Sequence, residues 1–285
     1  MQFFLLSTAH LTDAVWFKDS DDFKAGMNTT AVLAATTPVK ILAFVLMSNH
    51  VHYVLQNSKE EAEAFIVNFK KAYSQKYSKK YGATELLRNN PIHLEELTLG
   101  DESIERAIAY VMMNPYQANL VLKSEAYPWG CGSLYFNIVQ SKGTNVGEMS
   151  ARHLIKCIGS RKRLPENYVI NYDGYVDPSS YVQVKFVESL YRTPKRMDYF
   201  LKTSSKAQLN YEGVSFDDQT LIAGMKSLCY SLFRTDPFSD LSDMQQAKII
   251  DQLGYRFSAQ PKQIARVSGL SPEKVCQLLD AFKHN

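Results

Sequence analysis

The chain has 285 residues, of which 45% are hydrophobic and 21% charged, and its formal net charge is +3. This composition is ordinary for a soluble globular protein, and no apolar run is long enough to span a bilayer, so we expect no membrane contact. The four cysteines are far apart and form no CxxC pair. A structural zinc site or a disulfide framework is therefore not expected, and the reducing cytoplasm is the expected compartment.

The excess positive charge is concentrated in the middle of the chain. Residues 138–205 hold 11 Lys and Arg against 6 Asp and Glu, a local net charge of +5. Residues 1–137 hold 12 against 14, and residues 206–285 hold 9 against 9. A local basic stripe in a nearly neutral chain indicates a polyanionic partner, although a solvated surface explains the charge equally well.

Strand and helix patterns alternate in the first part of the chain. The apolar residues 3–6 have no basic residue before them, so they indicate a first strand rather than a signal peptide. A helix is predicted within residues 21–33. Residues 40–56 are rich in Val, Leu, Ile, Phe and Tyr and give the strongest strand pattern in the chain.

A long helix is predicted next. Ser58 and Glu61 have the spacing of a capping box at its start, and Gly82 is a natural stop. Its apolar side includes Phe65 and Phe69, and its far end is basic. A solvated charged end would account for those lysines, but they are also candidate DNA contacts: Lys70, Lys71 and Lys76.

The segment Asn49-His50-Val51-His52 follows the apolar stretch 41–47. Residues two apart on a strand point to the same face, so His50 and His52 are expected to project side by side. Two imidazoles on one strand make half of a metal site. A lone His-x-His is usually structural, so its meaning depends on further ligands and on a nucleophile. His10 and His153 have no motif around them and are expected to be structural or solvated.

A strand at 92–98 and a second helix at 102–114 follow, with Asp101 as the expected cap and Pro115 expected to end the helix. At about 100° per residue, Tyr110 lies roughly 140° from the centre of the helix's apolar stripe. It shares a face with Arg106 and Asn114. An ordinary surface tyrosine is the alternative explanation.

Four strings in this region resemble the single-tyrosine HUH transposases, in particular the REP-associated tyrosine transposases. Residues 45–55 (VLMSNHVHYVL) are similar to the family's histidine strand, and residues 110–115 (YVMMNP) to its "YI-x-x-NP" tyrosine helix. Residues 127–135 (YPWGCGSLY) are similar to its "YPWSSY" string, and residues 70–77 (KKAYSQKY) to its "K-x-x-Y-x-x-x-Y" helix. Residues 85–95 do not match the "G-x-x-W-Q-x-R-F" string that the family usually has before the tyrosine helix.

The resemblance implies an α+β fold for residues 1–137: a ferredoxin-like antiparallel sheet with helices on one face. It implies Mg²⁺ or Mn²⁺ held by His50 and His52, with Asn114 as third ligand. Tyr110 would attack single-stranded DNA beside a hairpin and form a 5′-phosphotyrosine. It also implies a possible homodimer. Ligand chemistry alone favours softer metals for imidazole, so the identity of the ion depends on the resemblance.

Two regions follow this domain. Residues 138–205 are predicted to be a basic connector, with Arg161, Lys162 and Arg163 as candidate DNA contacts. Residues 206–285 are predicted to form an all-α domain, with helices at about 217–233 and 243–254 and a helix-turn-helix at 261–282. Its candidate DNA contacts are Lys262, Arg266 and Lys274. A generic helical hairpin is the alternative for the last two helices.

Taken together, these patterns predict a transposase that nicks and rejoins DNA. A non-catalytic DNA-binding regulator that acts through the helix-turn-helix is one alternative. A replication-initiator or relaxase-type nickase, which would share the histidine pair, is another.

Overall fold

The computed structural model describes residues 2–11, 14–82, 87, 89–118, 120–137, 142–205, 216–257 and 259–283. The chain divides into two compact units, which are described separately. The first contains the described residues within 1–9, 20–47 and 51–210, and the second those within 10–19, 48–50 and 211–285.

The first unit is built on a four-stranded antiparallel sheet with the strand order β2-β3-β1-β4. The elements are β1 (Gln2–Thr8), α1 (Ser20–Thr36), β2 (Lys40–Met47), β3 (His50–Asn57), α2 (Lys59–Tyr81) and β4 (Ile92–Leu97). This β-α-β-β-α-β order is the ferredoxin-like pattern, so the prediction of a ferredoxin-like antiparallel sheet is confirmed. The division between the units falls within β3, whose continuous backbone carries both His50 and His52.

The predicted strand region 40–56 is in fact two strands. β2 ends at Met47 and β3 begins at His50, so Ser48 and Asn49 form the connection. Ser and Asn are both typical turn residues, since their side chains bond to nearby backbone groups. The uniform apolar character of the flanking strands conceals this short turn in the sequence.

Helices cover both faces of the sheet. Tyr53 of β3 packs against Phe65 and Phe69 of α2, and its hydroxyl lies 2.8 Å from Thr30 Oγ1 of α1. On the opposite face, His52 contacts Tyr110 of α3 (Ser103–Gln117). The prediction of helices on one face is therefore wrong. The reason is that every residue from Ile41 to Met47 is buried, which requires cover on both sides.

Some of the helix ends are where the capping residues in the sequence predict them, and others are not. Ser58 Oγ accepts a hydrogen bond from the Glu61 amide, as predicted, and Gly82 ends α2 at a φ of 92°. Asp101 accepts a hydrogen bond from the Ser103 amide, but the N-cap residue of α3 is Glu102. The predicted end at Asn114 is wrong by one turn: α3 continues to Gln117 through a buried Pro115, because tertiary packing outweighs the local preference.

The middle of the chain packs within the first unit. Its elements are β5 (Gly143–Asn145), α4 (Ala151–Ile158), β6 (Val169–Asn171), α5 (Val184–Tyr191) and α6 (Pro194–Ser205). Buried Asn28 of α1 donates to the Cys157 carbonyl and accepts from the Val176 amide. Tyr191 donates to the Glu105 carbonyl. The segment predicted as a connector is thus tied to α1 and α3.

The C-terminal part of the second unit contains four helices in its described residues: α7 (Asp218–Phe233), α8 (Asp243–Phe257), α9 (Pro261–Ser268) and α10 (Pro272–Lys283). Its core contains Leu221, Ile250, Leu253, Ile264 and Val275, each at most 1% exposed. Gly269 ends α9 in the left-handed region. Whether α9 and α10 act as a helix-turn-helix stays a prediction. Among the described helices, none has the length and apolar character needed to cross a membrane.

Candidate metal centre and tyrosine

His50 and His52 are buried on the same face of β3, at 4% and 2% exposure. A third imidazole joins them: His10, two residues beyond the end of β1, offers a ring nitrogen, and the ligand atoms of the three histidines all lie within 4.8 Å of one another. The His10 ring stacks on the His50 ring, with centroids 3.7 Å apart and planes 10° from parallel. The cluster of His10, His50 and His52 could bind a metal ion.

The turn before β3 fixes the tautomer of His50. Asn49 Nδ2 donates to the Leu11 carbonyl, which turns Asn49 Oδ1 towards His50 Nδ1 at 2.9 Å. Because that oxygen can only accept, His50 Nδ1 carries the proton and Nε2 presents its lone pair. A histidine ligand oriented by a hydrogen bond through its other nitrogen is the usual arrangement around a bound metal.

Ser7 of β1 holds His52. The two residues pair in register across β1 and β3, and Ser7 Oγ lies 2.7 Å from His52 Nδ1. This contact leaves the buried Nε2 of His52 as its candidate ligand atom. Ser7 is also in register with His93 of β4, so one row across three strands holds His52, Ser7 and His93.

Tyr110 lies beside His52. Their ring centroids are 5.3 Å apart with an interplanar angle of 79°, an edge-to-face contact. Tyr110 is 38% exposed, whereas Ile104, Ile108 and Val111 of the same helix are fully buried. This burial pattern agrees with the prediction that Tyr110 faces away from the apolar stripe of α3. Its exposure leaves the phenol accessible to a substrate.

The two residues that share a helix face with Tyr110 have different surroundings. Asn114 Nδ2 donates to the Tyr110 carbonyl at 3.0 Å. Arg106 forms an ion pair with Glu102 at 3.0 Å, and its side chain is 68% exposed. Asn114 as a third ligand therefore stays a proposal.

The donor set suits a metal ion. Three neutral imidazoles are typical ligands of Zn²⁺ and other first-row transition ions, rather than of Mg²⁺. A histidine must lose its proton to ligate, and partial burial, together with the positive charge of Arg266, lowers the pKa of His10 below its ordinary value. The neutral form that a metal requires is thereby favoured.

The predicted contacts on α2 lie on the other side of the sheet from Tyr110. Lys70 Nζ donates to the Asn90 carbonyl, and Lys71 is exposed. Lys76 is largely buried: its Nζ donates to Thr29 Oγ1 and to the Ile158 carbonyl, both at 3.2 Å. Burial lowers the pKa of Lys76 from 10.5 to about 8.

Lys76→Met is expected to stabilise the protein at neutral pH, by at most about 3 kcal/mol, because the wild type must bury a cation whose pKa is lowered by burial. Between pH values of about 8 and 10.5 the unfolded wild type binds the extra proton, so wild-type stability rises with pH relative to the variant. Urea unfolding of both proteins across this range measures the difference. Lys71→Met, at an exposed position, is the control and should change the free energy of unfolding by less than about 0.5 kcal/mol at neutral pH. A difference that does not change with pH would contradict the assignment.

The remaining predicted DNA contacts are dispersed. Arg161, Lys162 and Arg163 are exposed in the loop after α4, and Lys262 is exposed on α9. Two others on the helical unit form ion pairs: Arg266 with Asp218 at 2.7 Å, and Lys274 with Asp243 at 2.6 Å. Their role as DNA contacts stays a prediction.

Comparisons with known proteins do not show a family for this chain. No family model and no curated protein matches the chain. One similar solved structure is a REP-associated tyrosine transposase bound to a REP hairpin: it is 12% identical, the match covers 46% of this chain and 75% of that one, and the TM-score is 0.37. Another is a pyridine synthase from thiomuracin biosynthesis, with 11% identity, full coverage of both chains and a TM-score of 0.24.

Proposed function

We propose that this protein is a metal-dependent enzyme that cleaves and rejoins single-stranded DNA, with Tyr110 as the nucleophile. The observation that supports this most directly is the edge-to-face contact of an exposed tyrosine with His52, one of three clustered histidines. The motif resemblance of residues 45–55 and 110–115 adds support from the sequence. His50 and His52 would hold the divalent cation, with Asn114 or His10 as a third ligand.

The proposed chemistry is a transesterification. The phenolic oxygen of Tyr110 attacks phosphorus and loses its proton, and the bond from phosphorus to the 3′ oxygen breaks. The 3′ oxygen takes up a proton and leaves as a hydroxyl, while the 5′ phosphate stays on the tyrosine. A divalent cation bound at the histidines would polarise the phosphate as a Lewis acid. The reverse reaction rejoins the ends without ATP, because the phosphotyrosine bond conserves the energy of the phosphodiester.

The experiment that tests this proposal uses the full chain and a panel of labelled single-stranded oligonucleotides that contain hairpins. With Mn²⁺, a first-row transition ion, we expect a covalent protein–DNA adduct that survives denaturation and disappears with EDTA. Peptide mass spectrometry should locate the nucleotide on Tyr110. An adduct on another tyrosine would overturn the assignment of the nucleophile. DNA binding without any adduct would favour the DNA-binding regulator.

A further inference from the structure

A groove of about 750 Å³ runs along the outer side of α1 and α2. α1 contributes Thr29, α2 contributes Lys71, Lys76 and Lys79, and the loop after α4 contributes Lys162. These five residues define what we call the lysine groove. It lies on the side of the sheet towards which Tyr53 points, where α2 packs. Tyr110 lies on the opposite side of the sheet, beside His52.

Among the residues that the structure describes, no acidic side chain neutralises the charge of the lysine groove. No Asp or Glu is among the residues that line it, and in the described part of the chain none of its four lysines forms an ion pair. Lys80, which follows Lys79 in the chain, does form an ion pair: it contacts the buried carboxylate of Asp22 at 2.8 Å. A concave surface lined by one sign of charge concentrates ligands of the opposite sign.

The spacing of the polar groups suits a chain of phosphates. Lys71, Gln75 and Lys79 line the groove at intervals of four residues, so they recur about every 6 Å along α2. The other lining residues described are aliphatic, or neutral and polar like Asn68 and Thr36, and none is aromatic. Without an aromatic ring the groove offers no platform for base stacking, so its contacts would be to the backbone.

The walls of the groove are held in place by the protein. Asn28 joins α1 to the Cys157 carbonyl of α4, and Lys76 joins Thr29 to the Ile158 carbonyl. Gly159 then ends α4 with a φ of 63°, and a Cβ there would lie 3.5 Å from Lys76 Nζ. The groove is therefore a preformed feature lined by Lys71 and Lys79 of α2 and by Lys162 of the loop after α4.

We propose that the lysine groove binds the sugar-phosphate backbone of DNA, independently of base sequence and at a site separate from Tyr110. The choice of DNA rests on the proposed function. The four lysines of the groove would hold one part of a DNA strand while another part of the same strand reaches Tyr110. Its contribution is to affinity and to salt dependence, since phosphate contacts carry no sequence information.

The test compares two triple variants of the full chain with equal loss of charge. Lys71→Gln/Lys79→Gln/Lys162→Gln removes the exposed lysines of the groove. Lys59→Gln/Lys185→Gln/Lys202→Gln is the matched control, since these lysines are exposed and lie outside the lining. Binding of a fluorescein-labelled single-stranded oligonucleotide, in EDTA, is measured by fluorescence anisotropy at several salt concentrations. EDTA keeps binding separate from cleavage.

We expect the groove variant to bind about 100-fold more weakly near 0.1 M salt, and the slope of log K against log salt to fall by roughly 2. The control should change the slope only slightly, and two oligonucleotides of different sequence should respond alike. Equal losses in both variants, or no loss in the groove variant, would overturn the proposal. Displacement of the oligonucleotide by millimolar inorganic phosphate would also overturn the proposal, since it would mean that the groove binds a small anion. Clearly tighter groove-dependent binding to RNA of the same sequence would overturn it as well.

This outcome is separable from that of the proposed function. If the groove variant binds DNA normally while the wild type forms the Tyr110 adduct, the groove proposal fails and the enzymatic proposal stands. If the groove variant loses binding while the wild type forms no adduct, the groove is a DNA site on a protein that does not cleave.

Discussion

Tyr110→Phe is expected to abolish the covalent adduct and to lower single-strand cleavage by about 10⁴-fold or more, because the substitution removes the attacking oxygen itself. The change deletes one hydroxyl from a side chain that is 38% exposed, so the fold and the edge contact with His52 should be retained. Quantified adduct formation on a labelled oligonucleotide, in the presence of Mn²⁺, gives the measurement.

The matched control is Tyr116→Phe, since Tyr116 lies on the same helix and is partly buried. It should cleave within a few-fold of the wild type. Metal binding by Tyr110→Phe, followed by calorimetry, should equal that of the wild type, because the hydroxyl is not among the proposed ligands. Substantial adduct formation by Tyr110→Phe would assign the nucleophile to another residue.

The local features of this site could be predicted from the sequence. The alternation of a strand dictates that His50 and His52 share a face, and the period of a helix dictates that Tyr110 points away from Ile104 and Ile108. Both conclusions need only the backbone geometry of one element. The antiparallel sheet was implied by the resemblance, but the turn that divides residues 40–56 into β2 and β3 was not predicted.

The partners of those residues could not be predicted, because they depend on pairing between distant segments. Ser7 reaches His52 only through the register of β1 against β3, and His10 stacks on His50 only because the chain after β1 returns to the turn before β3. His10 carries no motif, so its expected role was structural or solvated. Only Asn49 carried information about these contacts in the sequence: asparagine is a typical turn residue, and its side chain orients His50.

Charge in the sequence likewise does not reveal which cations are already paired. Lys79 and Lys80 are adjacent, yet Lys79 lines the lysine groove and Lys80 is bound to Asp22. Arg266, another predicted DNA contact, forms an ion pair with the carboxylate of Asp218. These outcomes are decided by where an acid from a remote helix is buried, and no local pattern encodes that.

Asp218 of the helical unit is a buried carboxylate that accepts several hydrogen bonds. It begins α7, is 2% exposed, and accepts two hydrogen bonds from Arg266, at 2.7 Å to Oδ2 and 2.9 Å to Oδ1. Gln263 donates to Oδ1 at 3.1 Å, and the Ser48 hydroxyl donates to Oδ2. Ser48 belongs to the turn that precedes His50, so this ion pair holds the turn as well as α9.

Arg266→Ala is expected to lower the free energy of unfolding by about 3–5 kcal/mol, because it leaves the buried carboxylate of Asp218 without its cation. Urea unfolding followed by circular dichroism measures the change. The control is Arg256→Ala on α8: Arg256 is exposed and bonds only to Gln252 among the contacts described, so a change within about 0.5 kcal/mol is expected. Asp218→Ala/Arg266→Ala should recover part of the loss, since it removes the buried charge that Arg266→Ala leaves behind. Strictly additive losses in the double variant would show that the two side chains do not stabilise the fold as a pair.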